Sequence, residues 1–499
     1  MRCAMALAGL LLCLTAQANP LPALRYGADL EGGVPYVFQD SEDGDRLAGF
    51  EIEIIEAIAA RLGREPVLVQ NEWDKLIPGL RRDLYDVAIQ GQEITPEHEE
   101  SVAFSIPYYV TSLQLCVRRG EFLLDGIEDC QGRVVATLKE SGAYYVLESL
   151  GGVDIRAYPT EVNGLDDLAR GRVDAALFDA PVALYYAGPR RDVKLAGEPI
   201  GRIVYGFAFA PENEVLRREF NEALTAMRES GELREILQRW NLWNDLTANE
   251  FGDFATATVA PSAYEAWVAR HEQPVTWRDR VDRYLGYLPV FGRAALVTIQ
   301  ISVLSMALAM LLGFAIALAR LYGARPLSLL AVAYIEVVRG TPLLIQLLLV
   351  FYGLPSLGIS LSPFAAGVAA LALNYAAYEA ENYRAGFLSV PHAQTEAALA
   401  LGMTRWQTIR HVVAPQALRL VLPPVTNDFI SLLKDSSLVS VITLVELTKA
   451  YGQISTTYYD YLGAGIVVAI IYLLLGLPFV RLSRWLERRL HLPHLPARR

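Results

Sequence analysis

Residues 294–319 read AALVTIQISVLSMALAMLLGFAIALA, a stretch of 26 positions without a charged side chain. A helix needs about 20 apolar residues to cross the hydrocarbon core of a bilayer. Arg320 and Arg325 follow the stretch, and basic residues flank membrane spans on the cytoplasmic side. The stretch therefore predicts a transmembrane helix whose C-terminal end faces the cytoplasm.

Further apolar stretches follow toward the C-terminus. Residues 327–354 form a second span that the polar segment 336–342 interrupts, residues 363–378 a third, and residues 461–480 a last span that ends before a basic cluster. Residues 437–447 are a weaker candidate, counted here as the fourth of five spans. An odd number places both basic flanks in the cytoplasm and everything before the first span outside. The C-terminal half is thus predicted to be an all-α, five-span membrane domain.

The two halves of the chain differ in charge. Residues 291–499 carry 16 Lys and Arg against 9 Asp and Glu, whereas residues 1–290 carry 28 against 46. The whole chain has a net charge of −11 and a pI of about 5.2, and 53% of its residues are hydrophobic. This composition excludes intrinsic disorder and argues against nucleic-acid binding.

The N-terminal end has the features of a secretory signal. An apolar run follows Arg2, and an Ala-Gln-Ala cleavage site stands at residues 16–18. We expect residues 1–18 to be a signal peptide, with an uncleaved anchor as the alternative. Cys116 and Cys130 then lie outside the cytoplasm, where either a disulfide or two separate buried thiols is permitted.

Residues 24–243 alternate short apolar runs with helical patterns. LRYGA at residue 24 and PVLV at residue 66 are typical of strands, and residues 50–62 have apolar side chains at helical spacing. Alternation of strands and helices predicts a mostly parallel sheet. A second set of the same kind begins at residue 133, so we expect two α/β lobes with a cleft between them.

These patterns predict the boundaries of the domains. The predicted segments are a signal peptide at 1–18, an extracytoplasmic binding domain at 19–243, a linker at 244–290, a membrane domain at 291–490 and a cytoplasmic tail at 491–499.

A motif lies between the third and fourth predicted spans. Residues 390–402 read VPHAQTEAALALG, with Pro415 downstream. This segment resembles the EAA loop of bacterial ABC-importer permeases, although Val412 and Ala414 stand where Ile and Leu are usual. Flanking stretches such as RGTPLL and LKDSSL are similar to the polar amino acid uptake permeases of the histidine and glutamine type. The positions that match the EAA pattern are Glu396, Ala397, Ala398 and Gly402.

The resemblance implies that this segment couples the membrane domain to an ATPase. Its small side chains allow another surface to approach closely, and Gly402 permits a turn between two short helices. An ordinary amphipathic loop helix is the alternative. The chain has no G-x-x-x-x-G-K-[ST] motif, so we expect no cofactor here and place ATP and Mg²⁺ on a partner ATP-binding subunit. One five-span unit implies a homodimer through the permease domain, or a heterodimer with another permease.

Four acidic residues lie within or beside the predicted spans. A charge inside a membrane is expensive, so these residues either line a translocation path or pair with basic neighbours such as Arg384, Arg419 and Lys434. The four are Glu379, Glu381, Asp428 and Asp435.

The soluble half is similar to the type II periplasmic binding proteins for polar amino acids. The stretches that match are GFEIE at residue 49, WDKLIPGL at 73, FSIPYY at 104 and GRVDA at 171. The resemblance implies that Tyr36 packs over an amino acid in the cleft and that Asp179 accepts its ammonium group. The candidate ligand contacts are Asp29, Tyr36, Trp73, Gln90, Gly91, Glu93, His98, Ser141 and Asp179.

His98 departs from the family pattern, because it stands where an arginine clamps the ligand carboxylate. A neutral imidazole cannot form the bidentate contact of a guanidinium group. Glu93 and Glu140 make the cleft acidic unless they face solvent. Either a protonated His98 still binds a carboxylate, or the ligand is not a standard zwitterion. An acidic cleft suits a cationic amino acid or an amine.

The two resemblances together predict a non-enzymatic subunit of an ABC importer for small polar solutes, above all polar amino acids, in the bacterial inner membrane. A ligand-gated channel would need a selectivity filter such as TVGYG, which is absent. An enzyme that carries a binding-protein module would need a catalytic domain, and the five predicted spans leave none. A receptor that senses without transport, and an importer for amines, remain alternatives.

Overall fold

The described chain forms two compact units. The first comprises the described residues up to Gln39 and from Arg46 to residue 272, and the second comprises Asp40 and the described residues from Trp277 onward. The predicted signal peptide and the predicted cytoplasmic tail lie outside the described residues. The computed structural model describes residues 22–31, 33–40, 46–256, 259–272, 277–458 and 460–489.

The first unit mixes strands and helices, as the alternating pattern predicts. Its described strands are β1 (Ala23–Ala28), β2 (Phe38–Gln39), β3 (Leu47–Ala48), β4 (Glu65–Gln70), β5 (Val87–Ala88), β6 (Ala103–Phe104), β7 (Tyr109–Arg118), β8 (Val134–Leu138), β9 (Asp154–Tyr158), β10 (Ala175–Asp179), β11 (Val193–Tyr205) and β12 (Ala208–Phe209). Its described α-helices are α1 (Phe50–Leu62), α2 (Leu76–Leu80), α3 (Pro96–Glu99), α4 (Gly142–Leu150), α5 (Glu161–Ala169), α6 (Ala180–Val182), α7 (Glu214–Ser230), α8 (Glu232–Arg239), α9 (Asp245–Phe251) and α10 (Ser262–Glu272).

Helix α1 shows how the apolar pattern becomes structure. Phe50, Ile54, Ile55 and Ile58 are fully buried and recur at helical spacing. The helix ends at Gly63, whose left-handed backbone (φ 62°) closes the last turn. The prediction of a helix over residues 50–62 is confirmed.

Two five-stranded sheets form the cores of two lobes. The first has the order β4-β1-β5-β12-β6, and the second has the order β11-β7-β10-β8-β9. In the first sheet β4, β1 and β5 are parallel, whereas β12 is antiparallel to its neighbours. In the second sheet β10, β8 and β9 are parallel, whereas β7 is antiparallel to β10 and β11. The predicted two-lobed α/β fold is confirmed.

The chain crosses between the lobes twice. Residues 105–108 lead from β6 of the first sheet to β7 of the second, and residues 206–207 lead back from β11 to β12. Two short crossings of this kind are where a hinge motion concentrates, because the rest of each lobe is a packed sheet with its helices.

Two cysteines lie among the described residues of the first unit, and they are separate thiols. Cys116 lies on β7 and Cys130 lies in a short 3₁₀ turn, and both are buried and free. Of the two possibilities in the sequence, the structure therefore has two buried thiols.

The regular secondary structure of the second unit is helical in its described residues. Its α-helices are α11 (Trp277–Tyr322), α12 (Arg325–Gly340), α13 (Leu343–Leu348), α14 (Pro363–Leu388), α15 (His392–Ala400), α16 (Arg405–Thr408), α17 (Ala414–Asp435), α18 (Leu447–Tyr458) and α19 (Tyr461–Arg489). Helix α11 begins well before residue 291 and so includes part of the predicted linker.

The structure does not confirm the count of five spans. By length and apolar composition, two helical segments of the described chain are able to cross a membrane, Arg280–Tyr322 and Tyr461–Leu486. A third span results if the bent pair Arg325–Gly340 and Leu343–Leu357, which meet at 107°, counts as one. The predicted fourth span at residues 437–447 is instead a 3₁₀ turn, Ser436–Ile442, that ends at a left-handed Thr443. A 3₁₀ turn of this length is too short to span a bilayer.

The predicted third span corresponds to part of α14. At 26 residues this helix is long enough to cross about 30 Å of hydrocarbon, but its second half carries Glu379, Glu381 and Arg384. Helix α17 likewise contains Pro423, Pro424 and charged residues. Buried apolar residues of α11, α13, α14 and the 3₁₀ turn at Ser436–Ile442 pack together. Buried residues of α11, α14 and α17 form a second cluster, so α14 and α17 both pack in a helical core.

Candidate functional site

The cleft of the first unit lies where strand ends from both lobes meet. In the first lobe, Asp29 follows β1, Trp73 follows β4, and Gln90 follows β5. These three strands are parallel, so the residues after them gather at one edge of the sheet.

The second lobe contributes residues in the same way. Ser141 follows β8, Glu161 follows β9, and Asp179 ends β10. Strands β10, β8 and β9 are parallel neighbours, so these side chains also share one sheet edge.

A cavity lies between these two edges. Six of the predicted ligand contacts line it: Tyr36, Trp73, Gln90, Gly91, Ser141 and Asp179. Four further lining residues were not predicted: Leu138, Glu161, Phe178 and Val182. The predicted contacts Asp29, Glu93 and His98 are not among the lining residues. The sequence could have indicated Glu161, because it is an acidic residue that follows a predicted strand, just as Asp179 stands at the end of one.

Asp29 supports the cleft wall from within the first lobe. Its carboxylate accepts hydrogen bonds from Gln70 Nε2 at 2.7 Å and from the Trp73 backbone N–H at 3.2 Å. The backbone N–H of Glu31 donates to the same carboxylate at 3.0 Å. Asp29 therefore holds the turn that presents the Trp73 ring.

Glu51 holds the loop that follows β5. This fully buried carboxylate on α1 accepts hydrogen bonds from the backbone N–H groups of Gln90 and Gly91 and from the Tyr108 hydroxyl. Gln90 and Gly91 both have left-handed backbones (φ 79° and 60°), so the loop needs this support. Burial raises the pKa of Glu51 to about 7.

Asp179 ends a chain of hydroxyl groups in the cleft. The Tyr205 hydroxyl donates to Asp179 Oδ2, and the Tyr36 hydroxyl lies 3.1 Å from the Tyr205 oxygen. Because Tyr205 uses its only proton on Asp179, Tyr36 is the donor in the second contact. Burial raises the pKa of Asp179 to about 6. The carboxylate thus lines the cavity with one oxygen turned to Tyr205.

Glu93 connects the two lobes. It belongs to the first lobe and is 5% exposed, and its Oε1 accepts a hydrogen bond of 2.9 Å from the backbone N–H of Gly142 in the second lobe. Gly142 is the first residue of α4, where the helix dipole favours a negative charge. Burial, followed by the nearby charge of Asp179, raises the pKa of Glu93 to about 8.

His98 lies beside Glu93 rather than in the cavity. Its Nδ1 lies 2.9 Å from the Glu93 carbonyl oxygen, which can only accept, so Nδ1 carries the proton. The backbone N–H of His98 donates to the Thr95 hydroxyl at 3.2 Å, which caps α3. The residue at the usual clamp position is therefore engaged with the loop that carries Glu93.

Glu161 is a partly buried carboxylate in the cavity wall. Burial raises its pKa to about 8, and the charges of Asp179 and Asp29 raise it further. At the rim, Lys139 Nζ lies 3.2 Å from Asp74 of the first lobe, and this ion pair joins the lobes. Lys139 Nζ also lies 3.2 Å from Glu140, whose side chain is 52% exposed and faces solvent.

The predicted coupling segment forms a helix, a glycine turn and a second helix. Helix α15 contains Glu396, Ala397 and the buried Ala398, and Gly402 follows it with a left-handed backbone (φ 84°). Residues 404–407 then form a capping box that starts α16. The predicted turn at Gly402 between two short helices is confirmed.

Exposed apolar side chains surround this turn. Leu401 is 84% exposed and Trp406 is 69% exposed, and Leu399 is also exposed. These side chains form a group of exposed apolar residues next to the turn.

The four acidic residues of the second unit have different surroundings. Glu381 forms ion pairs with Arg320 and with Arg384, the latter at 2.8 Å. Asp428 accepts a hydrogen bond from Asn382 at 2.8 Å, and Asp435 accepts one from Tyr375 at 2.6 Å. Glu379 is 0% exposed. Of the basic partners named in the prediction, Arg384 is the one that pairs with an acidic residue in the described ion pairs.

Within the described residues, no group of three or more His, Cys, Asp and Glu side chains is arranged to hold a metal ion.

Comparisons with known proteins match the two units separately. Residues 24–242 match the bacterial extracellular solute-binding proteins, family 3, and residues 309–492 match the binding-protein-dependent transport system inner membrane component. The L-cystine transport system permease protein TcyB of Bacillus subtilis (strain 168) is 39% identical over 207 residues, which cover 40% of this chain and 88% of that protein. The chain belongs to the binding-protein-dependent transport permeases. It is a permease with a family 3 solute-binding domain fused to its N-terminal side.

Other relatives of the permease are similar in kind. The glutamine transport system permease protein GlnP of Escherichia coli (strain K12) is 38% identical over 205 residues, which cover 41% of this chain and 94% of that protein. A solved structure described as an amino acid ABC transporter with histidines is 40% identical and covers 44% of this chain and 100% of the solved chain, with a TM-score of 0.41. Both matched families are transport components rather than enzymes.

Proposed function

We propose that this permease is the solute-binding and translocating subunit of an ABC importer for a polar amino acid or a close chemical relative. The observation that carries the proposal is that one chain holds both a two-lobed cleft and a transport permease. Relatives of the permease half are named as permeases for L-cystine, glutamine and arginine, which supports a solute of the amino acid class.

Solute capture takes place in the cleft between the sheets. The ligand ammonium group pairs with Asp179, and the rings of Tyr36 and Trp73 pack against its carbon chain. Hinge motion at residues 105–108 and 206–207 closes the second lobe over the solute. The closed lobes are then stabilised by contacts between them, such as those of Glu93 with Gly142 and of Lys139 with Asp74.

Coupling to ATP hydrolysis occurs through the segment around Gly402. Glu396, Ala397 and Ala398 form the surface of α15 that docks into a separate ATP-binding subunit, where ATP and Mg²⁺ reside. The exposed Leu401 and Trp406 support this role, because an apolar contact surface needs a partner. Two copies of the chain form the permease as a homodimer.

The proposed arrangement in the cell follows from the charges that flank the apolar helices. A signal peptide at residues 1–18 directs the binding domain across the bacterial inner membrane, a linker joins it to the multi-pass permease domain, and the C-terminal tail stays in the cytoplasm. Arg320 follows one apolar segment and Arg481 lies near the end of another, which supports this orientation.

Transport assays in proteoliposomes test the proposal. The full chain, reconstituted with its ATP-binding subunit, takes up radiolabelled solute only when ATP is present on the side of the ATPase. A Glu396→Arg variant is expected to lose uptake while its solute affinity stays unchanged, because the change affects docking alone. ATP-independent uptake by the full chain without the ATPase, or full uptake by the variant, would refute this function.

A further inference from the structure

The hydrogen-bond donors of the cleft are used within the protein. The backbone N–H groups of Gln90 and Gly91 donate to Glu51, and Trp73 Nε1 donates to the Gln90 carbonyl at 3.1 Å. The Ser141 hydroxyl donates to the Leu138 carbonyl at 2.9 Å. A ligand carboxylate needs donors or a cation, and these groups already have acceptors.

The donors on the remaining polar side chains are also used within the protein. The Gln90 amide donates to the Asp29 carbonyl at 2.8 Å, and the Tyr36 hydroxyl donates toward Tyr205, whose own proton goes to Asp179. Among the described residues that line the cavity, none is Lys, Arg or His. The cleft therefore presents few free donors to a ligand.

Carboxylates, which are acceptors when ionised, line the cavity by contrast from the second lobe. Glu161 and Asp179 line it from the second lobe. Glu93 of the first lobe is not part of the lining, and its Oε1 accepts the Gly142 N–H. The carboxylates influence one another strongly enough that the charge of Asp179 raises the pKa of Glu93 and of Glu161. Bringing a positive charge among them removes this repulsion.

Glu93 also occupies an anion position in the cleft, the N-terminus of α4. The N-terminus of α4 has nine residues of helix behind it, and its first N–H points to Glu93 Oε1. A Cβ atom added at Gly142 would lie 2.5 Å from Glu93 Oε2, which shows how closely the side chain covers this helix end. A ligand carboxylate cannot reach this N–H while Glu93 remains there.

Aromatic rings complete the lining. Tyr36, Trp73 and Phe178 all face the cavity, and the faces of aromatic rings attract organic cations. Carboxylates and aromatic faces together form a surface that recognises ammonium and guanidinium groups.

We propose that Glu93 takes the place of a ligand carboxylate at the N-terminus of α4, so that the cleft selects an organic amine or guanidine that carries no free carboxylate. The inference rests on the proposed function of solute capture and specifies its substrate class. Glu93 is then the residue that determines specificity, because it excludes the carboxylate that ordinary amino acids carry.

Two matched pairs of compounds test the inference directly. Agmatine differs from arginine, and putrescine from ornithine, by loss of the carboxylate alone. Titration calorimetry on the full chain in lipid nanodiscs is expected to show each amine binding at least about tenfold more tightly than its amino acid, the scale of one charge-assisted contact.

Variants at position 93 test the assigned residue. Glu93→Ser frees the first N–H of α4 and is expected to reduce the preference for each amine by about tenfold. If the serine variant does not fold, Glu93→Gln, which has the same size, replaces it. This variant is also expected to reduce the preference for each amine over its amino acid. Asp154→Asn removes an exposed acid at the opposite edge of the same sheet and is expected to leave both affinities unchanged.

The outcomes separate this inference from the proposed function. Tighter binding of the amino acid in both pairs, affinities within threefold of each other, or binding of neutral glutamine alone would overturn the inference and leave solute capture standing. An unchanged preference in both Glu93 variants would overturn the role of Glu93. Failure of all these compounds and of glutamine to bind would count against both.

Discussion

Replacing Asp179 with asparagine separates ligand binding from stability in this protein. The substitution keeps the size of the side chain and an oxygen that accepts the Tyr205 hydroxyl, but it removes the negative charge from the cavity wall. The structure places no basic side chain among the described residues lining the cavity, so the charge of Asp179 is available to a cationic ligand.

The expected loss of affinity follows from the energy of one charged contact. A hydrogen bond between an ammonium group and a carboxylate contributes about 1.5–3 kcal/mol. Because about 1.4 kcal/mol corresponds to a tenfold change in affinity, the Asp179→Asn variant is expected to bind roughly ten- to a hundredfold more weakly.

The same substitution is expected to weaken ligand binding but not to reduce the stability of the unliganded protein. Burial raises the pKa of Asp179 from its ordinary 3.8 to about 6, which means that holding the charge in the cleft disfavours the folded state. Asparagine carries no charge, so the unliganded variant is expected to unfold at the same or a higher temperature than the original protein.

Calorimetric titration with agmatine and arginine, together with thermal unfolding of the same samples at pH 7.5, measures both effects. Both compounds carry a guanidinium group, so the test does not depend on which of them binds better. Asp154→Asn is the matched control, because Asp154 starts β9 at the sheet edge away from the cleft. An affinity within threefold of the original would refute the assignment of Asp179 as a ligand contact. A loss of stability in the unliganded Asp179 variant would refute the argument that its buried charge disfavours the folded state.

Three further predictions concern protonation, the cleft wall and coupling. The pKa values of Glu93 and Glu161 are raised to about 8 and that of Asp179 to about 6, so ionisation of these groups lowers the stability of the folded protein as pH rises from about 4.5 through 8. Agmatine binding is expected to strengthen over the same range and to release protons. Calorimetry in buffers of different ionisation enthalpy measures the proton release, and binding that weakens with rising pH would contradict the prediction. Glu51→Ala leaves two backbone N–H groups and a hydroxyl without their acceptor and is expected to cost roughly 3–5 kcal/mol, seen as a lower midpoint of urea unfolding, with a smaller loss for the glutamine variant. Gly402→Val forces a β-branched residue into a left-handed backbone at a cost of about 1–2 kcal/mol and is expected to reduce ATP-driven uptake without changing solute affinity; equal reduction of both would show that the effect is not confined to coupling.

The sequence is enough to predict residues whose position depends on their own strand. Ser141 and Asp179 line the cavity as expected, because each stands at or just after the end of a parallel strand. Asp29 satisfies the same rule, yet its carboxylate is used by Gln70 and by the Trp73 backbone. Which donors a buried carboxylate accepts hydrogen bonds from depends on its neighbours across the sheet, and a single sequence does not contain that information.

The membrane domain shows a different limit. Hydropathy favours uniformly apolar stretches such as residues 294–319, which lie within the long apolar segment Arg280–Tyr322. It undervalues helices such as α14, whose Glu381 is neutralised by Arg320 and Arg384. It overvalues the short apolar run after Asp435, which is a 3₁₀ turn. Pairing of the Glu381 charge with Arg320 of another helix is a property of the folded chain.

Fusion of the binding domain to the permease alters what selects the transported solute. When two modules share one chain, their docking is intramolecular, and the effective concentration of one for the other is high without any tight interface between them. A separate binding protein competes with others for its permease, whereas a fused domain has no such competition. The order of uptake rates among solutes is then expected to follow the order of affinities in the cleft. The cleft offers acceptors and aromatic faces and has its donors engaged, so positive charge and the absence of a carboxylate would decide what the cell imports. If the order of uptake rates differs from the order of affinities in the cleft, selectivity lies instead in the permease domain. The polar side chains of α14 and α17, where Asn382 donates to Asp428, are then the candidates.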